Sequence, residues 1–193
     1  MTKIRTVVGC GRAGKTRSRP GKGRQGSGKK VLVEYLYLDL KTCDRCIGTD
    51  NVLDEVVRTL APAFESAGFG IEYRKTEIKT AELAVEHRFY CSPTIRVNGR
   101  DICPSVKENS CGCCSEISGA DVDCRVFEYG GRNHEVPPKE MLAEAILRAV
   151  FGEHKGENSG EDYKLPENLK AFFEGKISKS ACSCGDAANS KKD

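Results

Sequence analysis

The sequence predicts an α/β fold, a central mixed sheet with flanking helices and a cysteine-rich loop inserted near its end. Three observations carry this reading. The stretch "KKVLVEYLYLDL" (29–40) is rich in β-branched, aromatic and Leu residues with little polar interruption, as in a strand buried on both faces. Strand-like and helix-like segments alternate from there to residue 152, which implies one sheet covered by helices. An Asn-Gly pair inside "SPTIRVNGRDI" marks a β-hairpin.

The elements follow in order. After the first strand comes "KTCDRCIG", then "TDNVLDEVVRTLAPAFESAGF", where Val52, Leu53, Val56, Val57, Leu60 and Phe64 recur at helical spacing. Thr49 or Asp50 is the expected cap, Pro62 the expected kink, and Gly68 lies near the end. "GIEYRKTEI" (70–78) alternates as a short strand, and 79–89 is a modest helix capped by Thr80. The hairpin spans 92–102. "CPSVKENSCGCCSEISGADVD" has no period and reads as a loop, and "CRVFEYGG" (124–131) is one more strand of the sheet. In "PPKEMLAEAILRAVFG" (137–152), Pro138 suits a first turn, and Met141, Leu142, Ala145, Ile146, Ala149 and Val150 form one face. A polar linker precedes a short amphipathic helix around Leu165, Leu169, Phe172 and Phe173. The expected organisation is a basic disordered tail (1–28), a domain (29–152), and a linker, short helix and cysteine-containing tail (153–193).

Charge is unevenly placed. Residues 1–30 carry ten Lys/Arg and no acid, which leaves 21 Lys/Arg against 28 Asp/Glu in the rest. Such a tail is too polar to offset its ordering entropy and reads as a solvated disordered segment; weak phosphate contact with nucleic acid, an organelle-targeting segment or an over-extended start of translation are the alternatives. It contains "VVGCGRAGKT", in which Gly9, Gly14, Lys15 and Thr16 match a phosphate-binding loop. That loop needs a helix directly after it. Pro20 and Gly21, Gly23, Gly26 and Gly28 deny it one, and no crossover helix leads to Asp39, where a magnesium-binding Asp would stand. Nucleotide binding is set aside. No apolar run is long enough to span a membrane, and no signal core is visible.

Eleven cysteines are the strongest compositional signal. Their odd number and the lack of a secretion signal argue against an oxidised extracellular framework and for a reducing, cytoplasmic setting. There, clustered thiols point to redox chemistry or soft-metal binding. Cys43-Asp44-Arg45-Cys46 stands between a buried strand and a helix, where a helix N-terminus lowers a thiol pKa and the spacing lets two sulfurs bond. Cys43 is the expected nucleophile and Cys46 the resolving thiol, with Arg45 favouring the thiolate and Asp44 opposing it.

Strand, C-x-x-C, helix, βα, "SPT" opening a hairpin and a final helix resemble the thioredoxin-like three-layer fold over 29–152. The resemblance implies a cis bond before Pro93, opposite the thiol pair, and a groove that holds a protein disulfide or dithiol partner as an extra strand. "TCDRC", "SPTIRVNG", "CRVFEYGG" and "PPKEMLAEAIL" together resemble a cysteine-rich prokaryotic thioredoxin-like family of unassigned function. Two departures stand out. No Trp precedes the motif, and Gly48 falls within the first helical turns, where it weakens them. A helix starting only at Thr49 or Asp50 leaves both thiols in a loop and favours metal capture.

Cys111, Cys113, Cys114 and Cys124 have the count for a tetrahedral thiolate site for Zn²⁺, Cu⁺ or Hg²⁺. Against it, adjacent Cys113 and Cys114 rarely bind one ion, and the usual second C-x-x-C is missing; a dithiol relay or inert loop thiols are the alternatives. Cys182 and Cys184 lie on a tether that reaches the core by length, as a shuttle or as incidental thiols. Cys91 faces the thiol pair or is simply buried. Cys10 has no role, and His87, His134 and His154 show no ligand spacing. The leading expectation is a thiol–disulfide oxidoreductase that needs no cofactor; its rival is a soft-metal protein without redox turnover.

Overall fold

The computed structural model describes residues 29–103, 105–152 and 162–182, without the side chains of residues 181 and 182. The basic tail, its phosphate-loop motif, Cys10, His154, most of the polar linker, Cys184 and the Cys182 side chain lie outside the described residues. Among the described residues no helix is long and apolar enough to cross a membrane.

The order is β1 (Lys29–Tyr37), α1 (Asp44–Ser66), β2 (Phe69–Glu77), α2 (Ala81–Glu86), β3 (Thr94–Val97), β4 (Arg100–Asp101), β5 (Lys107–Ser110), α3 (Gly112–Ser118), β6 (Asp123–Tyr129), β7 (Arg132–His134), α4 (Lys139–Phe151) and α5 (Glu167–Cys182). A four-stranded mixed sheet runs β2-β1-β3-β4. β1 pairs parallel with β2 (Val33 opposite Tyr73) and antiparallel with β3 (Tyr35 opposite Ile95). β1 is central, as its composition predicts. Its alternation is sharper than expected: Val31, Val33 and Tyr35 are buried, whereas Leu32 and Glu34 are only half-buried.

The hairpin forms where Asn-Gly predicts it, with positive φ at Asn98 and Gly99. Thr80 caps α2 by accepting from Leu83 N at 3.3 Å. Two expectations need correction. β6 is not a further strand of the main sheet; it is the middle strand of a second, antiparallel sheet, β5-β6-β7. β4 is only two exposed residues long and offers little edge to extend. The segment read as a loop holds β5 and α3. Neither is periodic, because both are held by distant contacts.

Arg125 on β6 ties the sheets together. Its N–H donates to Ser92 O at 2.7 Å, and its guanidinium reaches Oδ2 of Asp101, in β4, at 2.7 Å. On one face of the main sheet, Leu53, Val56, Val57 and Phe64 of α1 and Leu142 and Ile146 of α4 pack with Val31, Val33, Tyr35, Ile95 and Val97. A second core collects Leu36, Leu38, Ile78, Ala84 and Phe89 with Leu169, Phe172 and Phe173 of α5. The expected short tail helix is thus longer and built into the domain. It comes close to α3 because residue 175 is glycine: a Cβ there would stand 2.5 Å from Ser118 O.

Candidate thiolate centre

The site begins with Asp39, just after β1. Its Oδ2 accepts from Lys41 N (2.9 Å), Thr42 N (2.6 Å), Thr42 Oγ1 (3.0 Å) and Cys43 N (3.1 Å). Burial alone would raise this carboxyl; the hydrogen bonds from Thr42, Lys41 and Cys43 outweigh it and hold Asp39 below its ordinary range. The carboxylate folds "DLKTC" into a tight turn that delivers Cys43 to the N-cap of α1. The helix therefore starts at Asp44, five or six residues before the caps expected from sequence. Gly48 does not break it. A Cβ at Gly48 would lie 2.6 Å from Val136 Cγ2, so glycine serves the close approach of the segment before α4.

α3 repeats the arrangement. Cys111 is its N-cap and Cys114 stands three residues on. "CGCC" is therefore itself a C-x-x-C, and the second such motif, expected to be missing, runs from Cys111 to Cys114 and ends on the second residue of the Cys113-Cys114 doublet. The i, i+3 spacing puts Cys111 and Cys114 on one face and turns Cys113 away from it. Cys111 N donates to Val122 O at 2.9 Å, which sets α3 against the start of β6, where Cys124 lies.

Four sulfurs converge. Those of Cys43, Cys111 and Cys114 all lie within 4.8 Å of one another. Cys114 Sγ is 3.8 Å from Cys43 Sγ, and Cys124 Sγ is 3.4 Å from Cys114 Sγ. All four are buried: Cys43, Cys114 and Cys124 are 0% exposed and Cys111 2%. Three of the four residues expected as a metal set, Cys111, Cys114 and Cys124, are brought together. Neither Cys113 nor Cys124 joins the three mutually close sulfurs; Cys124 touches the group through Cys114, while Cys113 packs against the same core. The fourth sulfur is Cys43, expected as the nucleophile.

The protons are unevenly shared. Hydrogen bonds from the thiols of Cys111, Cys114, Cys124 and Cys46 hold Cys43 far below the ordinary thiol range, against the effect of burial. Cys111 is lowered to about 7, chiefly by hydrogen bonds from Cys114 and Cys124. Cys46 is pushed up first by donating to Cys43 and then by burial. Cys114 and Cys124 are also pushed up, each first by donating to Cys111. The two lowered thiols, Cys43 and Cys111, sit among donors that a thiophilic cation would displace by releasing protons.

Cys46 lies beside this set. Its Sγ is 3.5 Å from Ser92 Oγ, its carbonyl accepts from Tyr35 OH at 2.7 Å, and Ser92–Pro93 is a cis bond. Pro93 thus stands on the loop that touches Cys46. Arg45 does not act as expected. Its guanidinium donates to Ser110 O (2.7 Å), to Asn109 O and Oδ1 and to Cys124 O, and it pairs with Glu135 Oε1 at 2.6 Å. It ties α1 to β5 and β6, and the hydrogen bonds that lower Cys43 come from thiols. Cys91 is a buried thiol whose Sγ lies 3.9 Å from Thr94 Oγ1. Neither His87 nor His134 joins a candidate metal group among the described residues. The bridging Arg45 and the turn-forming Asp39 were not singled out for these roles in the sequence; an Asp four residues before a cysteine was the available signal.

A family model described as a domain of unknown function (DUF2703) matches residues 31–146, more than half of the chain, and the chain belongs to that family. The matched span holds all four converging cysteines. No curated protein and no solved structure matches the chain.

Proposed function

We propose that this DUF2703 chain is a soft-metal protein whose Cys43, Cys111, Cys114 and Cys124 form a tetrathiolate centre for an ion such as Zn²⁺ or Cu⁺. The carrying observation is the convergence of four buried sulfurs from two C-x-x-C helix starts and one strand. Tetrahedral Zn–S bonds of about 2.3 Å set sulfurs roughly 3.8 Å apart, and Cys43 and Cys114 stand at 3.8 Å. A closed all-thiolate shell is the pattern of structural or storage sites. We read the scaffold as thioredoxin-like, supported by the β2-β1-β3-β4 order, the C-x-x-C at the start of α1 and the cis Ser92–Pro93 bond. A reducing cytoplasm is part of the same reading, since ligand thiols must stay unoxidised.

The second reading is thiol–disulfide exchange by Cys43 and Cys46. It is favoured by the lowered Cys43 and by Cys46 as its hydrogen-bonded neighbour. It ranks second because Cys43 and Cys46 are both 0% exposed, and a nucleophile must reach its partner's disulfide.

The test is metal analysis of anaerobically purified full-length chain. The centre predicts one Zn²⁺ per chain, lost in Cys111→Ser and Cys124→Ser and kept in Cys113→Ser. A metal-free chain that takes up no added Zn²⁺ or Cu⁺ and turns over a disulfide substrate would reverse the ranking.

A further inference from the structure

We infer that Cys46 is a redox gate on the thiolate centre: a small two-electron oxidant joins it to Cys43, and the centre loses its metal. The inference rests on the metal reading and adds its regulation.

Cys43 is the one sulfur of the four that comes from α1; the other three come from the segment running through α3 to β6. Removing Cys43 therefore cuts the link between the two halves of the site. Cys46 follows it by one turn on the same helix, with its sulfur 3.5 Å from Ser92 Oγ. A fifth buried thiol one turn from a ligand brings to the site an oxidation chemistry that a serine in its place would not. It is also held in place, by the Ser92 contact and by Tyr35 OH, which fixes its backbone carbonyl.

Burial selects the oxidant. With Cys43 at 0% exposure a protein disulfide cannot reach it, whereas hydrogen peroxide is about the size of a water pair. The step balances. The Cys43 thiolate attacks one peroxide oxygen, the O–O bond breaks, and Cys43 becomes a sulfenic acid as hydroxide leaves. The Cys46 sulfur then attacks the Cys43 sulfur; the S–OH bond breaks, a disulfide forms, and the Cys46 proton leaves with the hydroxyl as water. Two cysteine sulfurs give up two electrons, and the peroxide is reduced to water and hydroxide. The ion keeps its charge and leaves a site reduced to three sulfurs. A dithiol reductant reverses the change.

The experiment loads the anaerobic full-length chain with Zn²⁺ and adds hydrogen peroxide with a chromogenic zinc chelator present. Released zinc and the disulfide, located by peptide mass, are followed together. Wild type is expected to release its zinc as the Cys43–Cys46 disulfide appears, and to rebind it after dithiothreitol. Cys46→Ser is expected to bind the same zinc and to release it far more slowly. Release from Cys46→Ser at the wild-type rate, or a wild-type disulfide joining Cys114 to Cys124 or to Cys43, overturns the gate and leaves the centre standing. The mass readout on wild type decides even if the variant folds poorly. A wild-type chain that takes up no zinc overturns the centre and the gate together.

Discussion

Arg45 offers the sharpest test of how the two halves of the centre are joined. It lies between Cys43 and Cys46 in sequence, yet its guanidinium is spent on the strands that flank Cys111 and Cys124. Arg45→Met keeps most of the apolar stem and removes every donor. The loss can be estimated from the partners. Glu135 is 59% exposed, so that ion pair contributes about 0.5 kcal/mol at most. Ser110 O at 2.7 Å and the Asn109 side chain belong to exposed residues, so their bonds to this charged donor, itself 9% exposed, are taken at the low end of the range. Hydrogen bonds to a charged group contribute about 1.5–3 kcal/mol each, and the low end brings the pair to roughly 3 kcal/mol. With a urea slope of about 2 kcal/mol per molar, the unfolding midpoint of metal-free protein should fall by roughly 1.5 M. Zinc affinity, measured by competition with a chelator, should fall by about 10–100-fold, as for other residues that orient ligands. A variant with a lowered midpoint and unchanged zinc affinity would refute the bridging role and leave Arg45 as ordinary scaffold. A variant unchanged in both would refute the geometry.

Two further outcomes follow from the link between the sheets. Arg125 is fully buried, its Nε has no partner, and its counter-ion is Asp101; Asp101→Ala should destabilise the fold by roughly 3 kcal/mol, less than for a fully buried pair because Asp101 is 33% exposed, read as a lower urea midpoint. Burial pushes Cys91 up to about 11 and Cys103 to about 12. The unfolded chain releases these protons above about pH 8.5 while the folded chain keeps them. Stability should therefore be fully present below about pH 8.5 and fall as pH rises toward 11, with a shallower fall in Cys91→Ala; a flat alkaline profile would contradict the burial.

What the sequence makes legible is what short-range physics decides. The run 29–40 names a central strand, Asn98-Gly99 names a turn, and Thr80 names a cap, because each signal lies within a few residues of its effect. The second sheet is illegible for the opposite reason. β6 has the composition of any buried strand, and its place depends on Arg125 meeting Ser92 and Asp101, 33 and 24 positions away. α3 has only seven residues and no apolar period of its own; it is held by α5 at the Gly175 approach and by the Cys111–Val122 hydrogen bond. The early start of α1 is illegible for the same reason: propensity sets Gly48 against a helix, while the close approach that requires glycine there comes from Val136, at the far end of the domain.

The cysteines show the same division at the scale of the site. Both expected roles, a redox pair at Cys43 and Cys46 and a metal set after β4, treated the two clusters as separate. The fold brings Cys43 beside Cys111 and Cys114 and one turn before Cys46, and under the proposed reading one sulfur cannot serve both roles at once. A Cys43 shared with a metal and a Cys43 engaged in a disulfide exclude each other, since the disulfide leaves the ion one ligand too few. The two hypotheses framed from sequence as competitors therefore become alternative states of a single residue, and the ratio of bound metal to Cys43–Cys46 disulfide in one preparation should be reciprocal. Samples reduced to different extents, each assayed for zinc and for that disulfide, should fall on one descending line. Preparations in which both quantities are high would show that Cys43 is not a ligand, and would move the centre onto the remaining three thiols.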